Sequence, residues 1–168
     1  MWLEWRAAVD EISRHRLLVT SSVVRYPRSM THKSGKVAEM VAQFAGRRLD
    51  ARYLGYFDCF NRQLYYEAHD VLEDLWLLDR HGPSGDFFKS LIQLAGAFVH
   101  LQKNRLRPAD ALFQLAERNL AKYPAQHEST DVRALLQLIS TWRDALAANG
   151  FESNPLTASV APQLSLPE

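Results

Sequence analysis

The feature that most constrains the fold is an apolar helical pattern that carries a histidine and a glutamate. His69 and Glu73 are four residues apart. At about 100° per residue they lie on one helix face. They share that face with three large side chains, those of Tyr65, Leu72 and Trp76. Such a face is expected to turn inward and to bury the polar pair, which is unfavourable unless the pair is hydrogen-bonded, ion-paired or bound to a metal.

The same periodicity predicts an all-α protein, an up-and-down bundle of five or six helices. Within the bundle, helices are expected over residues 49–60, 65–80, 87–104, 108–123 and 131–148. Gly and Pro at 81–85 and Asn149-Gly150 are stop signals, and Asp86 and Asp131 are expected N-caps.

Three segments are predicted along the chain. Residues 1–48 form an N-terminal extension with helices over 2–14 and 36–46, an extended stretch over 17–24 and a loop over 27–35. Residues 49–150 form the helical bundle domain. Residues 151–168 contain three prolines among small and polar residues, which predicts a flexible tail.

Composition narrows the function classes. A net charge of +1 provides no global field for nucleic acid, although basic residues cluster in the first quarter of the chain. We interpret that cluster as a solvated surface, with a patch for a polyanion or an acidic partner as the alternative. The single Cys59 excludes an intramolecular disulfide and a Cys-rich zinc site. Neither a signal peptide nor an apolar run of about 20 residues is present, which predicts a cytoplasmic protein without a membrane span.

A weak internal echo predicts paired helices. Asn61-Arg62 and the residues after it recur 43 positions later at Asn104-Arg105. Two copies of a helical hairpin would give a tetratricopeptide-like core. Convergence of two unrelated hairpins explains the echo equally well. Trp2 and Trp5 in the extension are compatible with a homodimer.

A second helix supplies counterparts for the polar pair. Gln93 and His100 share a face with Gly96 and Ala97, which are small enough for another helix to approach closely. If this face meets His69 and Glu73, two imidazoles and a carboxylate could hold a divalent Zn, Mn, Ni or Fe ion and activate water. The alternative is a hydrogen-bonded network without a metal.

The two blocks together resemble a known family. Residues 60–76, followed by 91–95 and His100, resemble the domain of unknown function 309, small helical bacterial and archaeal proteins catalogued as predicted metal-dependent hydrolases. The likeness covers about residues 50–125 and implies an all-α bundle. By position it implies five polar site residues: Glu67, His69, Glu73, Gln93 and His100. Asp70 stands where Glu is expected, and Gln63 stands where Gly would ease the turn.

The sequence therefore predicts a metal site of His69, Glu73 and His100. Gln93 is the expected orienting residue for water or substrate, and Glu67 is a more distant acid or base. The partner would be a small-molecule substrate. The alternative is a non-enzymatic helical scaffold that binds a protein partner, with a polar cluster that only fixes helix register.

Overall fold

A computed structural model of the protein describes residues 32–167. This part of the chain is all-α, as predicted, with six α-helices. They are α1 (His32–Val41), α2 (Ala51–Asn61), α3 (Tyr65–Trp76), α4 (Gly85–Gln102), α5 (Leu106–Leu120) and α6 (Val132–Ala148). A 3-10 turn (Ala42–Phe44) follows α1, and two short strands, β1 (Gln126–His127) and β2 (Thr130–Asp131), precede α6. The helix and the extended stretch predicted over 2–14 and 17–24 lie outside the described residues.

The helices pack on their neighbours in chain order, and one ring lies at their common centre. Phe98 of α4 is fully buried and contacts an aromatic ring from each of four other helices. The partner rings are Phe60 of α2, Tyr65 of α3, Phe113 of α5 and Trp142 of α6, with centroids 4.9–5.4 Å away. Edge-to-face and stacked pairs of this kind contribute beyond the area they bury.

Two helical hairpins, α2–α3 and α4–α5, turn in the same way. Gln63 and Asn104 each follow the end of a helix with φ of 60° and 53°. In each hairpin the next backbone N–H returns to the helix, from Leu64 to the carbonyl of Cys59 and from Arg105 to the carbonyl of His100, both at 2.9 Å. These bonds close a Schellman motif, which satisfies the last helical carbonyls.

The two turns show that the spacing predicted for the internal echo is wrong. Equivalent turn residues are 41 positions apart (63 and 104), not the 43 expected from the Asn-Arg pairs. At this spacing Ala68 matches Ala109, and both are fully buried. At a spacing of 43, Ala68 would match Ala111, which is exposed. The two hairpins are equivalent in structure. The buried residues Ala68 and Ala109, rather than the Asn-Arg pairs, show how their sequences align.

Several expected helix ends differ from the structure, and the helix expected over 36–46 lies instead at His32–Val41, so it begins within the expected loop. The helix that begins at Tyr65 ends at Trp76 rather than at residue 80, ahead of the glycines and the proline. Asp86 is not an N-cap, because α4 begins at Gly85 after Ser84. The Asp86 carboxylate accepts instead from Lys122 Nζ at 2.6 Å. Asp131 caps α6 as predicted.

The β1–β2 hairpin lies against the start of α4. Ser84 Oγ donates to the Glu128 carboxylate and lies 3.0 Å from His127 Nε2. Glu128 and Ser129 at the hairpin tip both have positive φ. The Tyr53 hydroxyl holds this tip from α2 by donating to the Glu128 carbonyl at 3.0 Å. Sequence periodicity gave no sign of these contacts, because they join residues far apart in the chain.

Residues 151–167 contain neither helix nor strand, as the sequence suggests, yet they contact the bundle. Asn154 Nδ2 donates to the Leu101 carbonyl at 2.7 Å. The Leu164 side chain is buried, and its backbone pairs with Asn61. Through these contacts Asn154 and Leu164 hold the C-terminal segment against the helical bundle. Within residues 32–167 no helix is both long enough and apolar enough to cross a membrane.

Two buried tyrosines provide a matched stability test. Tyr56 and Tyr65 are both fully buried. Tyr56 Oη donates to the Leu91 carbonyl at 2.8 Å, whereas Tyr65 Oη has no hydrogen-bond partner among the described residues. We expect Tyr56→Phe to lower the free energy of unfolding by about 1 kcal/mol and Tyr65→Phe to leave it unchanged or raise it. Urea denaturation measures both. An equal loss in the two variants would show that the Tyr65 hydroxyl is bonded.

The left-handed turn residues provide a second test. We expect Gln63→Gly to raise the free energy of unfolding by about 0.5–1 kcal/mol, because a non-glycine residue with positive φ is strained. Asn104→Gly is the matched control in the second hairpin, with a smaller gain because Asn tolerates this region. Thermal and urea unfolding compare the two. A destabilised Gln63→Gly variant would mean that the side-chain bond from Gln63 Nε2 to the Ala158 carbonyl outweighs the strain.

Candidate metal centre

The α2–α3 turn positions the candidate site. Because the chain leaves its left-handed turn at Gln63, α3 begins at once with Tyr65, whose ring stacks on Phe98. The next turn of α3 carries His69, on the same side as Tyr65. Leu72 of this face is fully buried, whereas His69 and Glu73 are half-buried at its edge. The inward face is therefore confirmed, with the polar pair at its margin rather than in the core.

Three candidate ligands converge on one turn of α3. One side-chain ligand atom from each of His69, Asp70 and Glu73 lies within 4.8 Å of the other two. The His69 Nδ1 to Asp70 Oδ1 distance is 3.3 Å, and these side chains are 17% and 20% exposed. Nitrogen and oxygen ligands lie about 2.0–2.2 Å from a zinc ion. The donor types in this group, one imidazole and two carboxylates, are among those that bind zinc.

His100 is not a member of this group. Tyr65, at the start of α3, meets Phe98 near the end of α4, so the two helices run antiparallel. From that contact His69 lies four residues into α3, and His100 lies two residues further along α4. Because the helices are antiparallel, moving from the contact to His69 and moving from it to His100 go in opposite directions along the helix axes, at about 1.5 Å per residue. The structure thus groups His69 with Glu73, and His100 lies outside that group.

The environment of His100 differs from that of an exposed histidine. Its side chain is 6% exposed at the end of α4. Burial lowers the pKa of His100 below its usual value of 6.5, and the positive charges of Arg105 and Lys103 lower that pKa further. A neutral imidazole at pH 7 follows from these effects.

Gln93 belongs to a polar chain between α4 and α5. Its Oε1 accepts from Asn119 Nδ2 at 3.0 Å, and Asn119 Oδ1 accepts from Lys122 Nζ at 3.0 Å. Lys122 in turn binds Asp86. The amide oxygen of Gln93 is therefore directed at α5. Glu67 lies half-buried in the first turn of α3, where a carboxylate complements the helix dipole.

Sequence reasoning missed Asp70 as a candidate ligand. Asp70 precedes Glu73 by three residues and His69 precedes it by four, and both spacings make side chains neighbours on a helix. That spacing was the available signal. Asp70 is rotated about 100° from His69 on the helix, so the apolar face alone does not point to it.

Comparison with known proteins supports the resemblance found in the sequence. Residues 53–112 match the model of a family described as a domain of unknown function, DUF309. The match includes most of both hairpins, all three members of the α3 group, and Glu67, Gln93 and His100. No curated protein and no solved structure matched the chain.

The lowered pKa of His100 predicts an acid-sensitive contribution to stability. Below about pH 6.5 the unfolded chain takes up a proton at His100 more readily than the folded chain does, so stability falls as the pH drops. Thermal unfolding of wild type and His100→Gln at pH 7.5 and pH 5 is the measurement, with about 1.4 kcal/mol per pH unit as the upper limit of the effect. We expect the wild type to lose more stability than the variant. Equal losses would contradict the prediction.

Proposed function

We propose that His69, Asp70 and Glu73 hold a divalent metal and that the protein is a metal-dependent hydrolase. The observation that carries the proposal is the approach of the three ligand atoms to within 4.8 Å of one another on a single turn of α3. The family resemblance points the same way. It adds no substrate, because the matched family is itself a domain of unknown function.

The donor set favours a first-row divalent ion. One imidazole and two carboxylates suit Zn, Mn, Ni or Fe better than a soft ion that prefers thiolates. When bound, such an ion supplies Lewis acidity and lowers the pKa of a water molecule. The chain's own part is to orient the ligands: the Asp70 carboxylate lies 3.3 Å from His69 Nδ1 and constrains the imidazole ring. The exposed parts of these two side chains, 17% and 20%, are where a small-molecule substrate would approach.

A non-enzymatic scaffold is the second candidate, and particular contacts favour it. His69 and Asp70 bind each other directly, as expected for a structural polar cluster. Gln93 is occupied by the chain that runs through Asn119 to Lys122. Under this proposal the partner is a protein. Cytoplasmic location and a homodimer stay predictions under both proposals.

Metal binding by matched variants separates the ligand sets. Metal content and zinc- or manganese-induced thermal stabilisation are measured on protein purified without an affinity tag. We expect Glu73→Gln and Asp70→Asn to weaken binding by about tenfold or more, because each removes one charged ligand. Glu67→Gln makes the same chemical change on the same helix outside the group, and should bind like wild type.

The outcomes distinguish the proposals. Loss of binding in His100→Gln with retention in Asp70→Asn would restore the ligand set predicted from sequence and overturn the one proposed here. No bound metal and no stabilisation in the wild type would favour the scaffold. Binding lost in Glu73→Gln and Asp70→Asn but retained in Glu67→Gln and His100→Gln would justify a screen of phosphate and carboxylic ester substrates.

A further inference from the structure

Asn61, the last residue of α2, pairs with the backbone of one residue in the C-terminal segment. Its Nδ2 donates to the Leu164 carbonyl at 2.8 Å, and its Oδ1 accepts from the Leu164 N–H at 2.7 Å. The Asn61 carbonyl also accepts from Gln163 Nε2 at 2.8 Å. A side-chain amide that satisfies both backbone groups of one residue binds a peptide by its main chain. Affinity in such recognition comes from the backbone, and pockets for side chains give specificity.

The Leu164 side chain supplies the apolar anchor of this contact. It is 9% exposed, whereas Leu166, two residues later, is 48% exposed. Upstream, the Ala158 carbonyl accepts from Gln63 Nε2 at 3.3 Å, an exposed contact. The segment from 158 to 164 is therefore fixed to the α2–α3 turn by a few hydrogen bonds and one buried leucine, without regular secondary structure.

Two residues beyond Leu164, the segment reaches a cavity of about 470 Å³. Leu166 and Pro167 form one wall, and the remaining lining is apolar except for Arg47 and Arg48. Among the described residues no carboxylate forms an ion pair with Arg47. Cavities of this size accept small ligands or peptide side chains. The Arg47 guanidinium favours an acidic side chain after the apolar residues of a ligand.

We propose that this surface, the Asn61 groove, is a docking site for an extended segment of a partner protein, and that residues 161–167 occupy it as an intramolecular ligand. The fitting partner segment has a leucine with its backbone on Asn61, apolar residues two and three positions later, and then an acidic residue. The proposal goes beyond the metal site and does not depend on it. The chain's own segment competes at an effective concentration of order 1 mM, so a partner binds only when that segment is released.

Release of the intramolecular segment tests the proposal. The probe is a fluorescent synthetic peptide of residues 158–168, and anisotropy measures its binding to full-length protein. In Leu164→Asp the internal segment loses its anchor, so the peptide should bind about tenfold or more tightly than to wild type. Ser165→Asp adds the same charge at an exposed neighbour and should behave like wild type.

The groove itself is tested by a second substitution. Asn61→Ala combined with Leu164→Asp should lose the gained affinity, and a peptide carrying Leu164→Asp should not bind. Absence of peptide binding to a folded Leu164→Asp variant would overturn the proposal. A wild-type dimer that dissociates on adding the peptide would show a second copy as the occupant and overturn the partner assignment.

Hydrogen exchange keeps the test valid if Leu164→Asp does not fold. In the wild type, the Leu164 amide should exchange faster than core amides of α4, because the segment opens without global unfolding. Exchange of Leu164 only at the rate of global unfolding would make the segment a fixed part of the fold and overturn the proposal.

Discussion

The bundle depends on the burial of Phe98. Its ring contacts aromatic side chains from four other helices, so α2, α3, α5 and α6 are all placed relative to one position on α4. Protein interiors are packed as densely as organic crystals, and a change at such a position is felt by every neighbour. The same contact sets the axial register of α3 against α4. That register decides which polar residues of the two helices can meet.

Local periodicity predicted the helices well because each α-helix needs only its own sequence to define an apolar face. The ends of the helices were predicted less accurately than the helices themselves. α3 ends at Trp76, before the glycine and proline signals, and Ser84 rather than Asp86 precedes α4. The two left-handed turns lack the glycine that marks such positions. The hairpin echo was detected from the sequence, but its register followed exposed Asn-Arg pairs and was two residues out.

The residues of the candidate site also fall into two groups: those predictable from one helix alone and those whose position depends on packing between helices. His69 and Glu73 were predictable because their neighbourhood follows from spacing on one helix. Asp70 obeys the same spacing and could have been included. The position of His100 depends on how far α4 slides along α3, which is fixed by Tyr65 on Phe98 and is not contained in either helix alone. The direction of Gln93 likewise depends on Asn119 of a third helix.

The origin of the three candidate ligands in one helical turn has a further consequence. The backbone positions of His69, Asp70 and Glu73 keep their spacing as long as this turn of α3 stays intact. A ligand set divided between two helices would be distorted by any slide or rotation of one past the other. A set carried by one helix moves with that helix as a unit. A shift of α3 against the aromatic core would therefore carry the backbone of all three residues together.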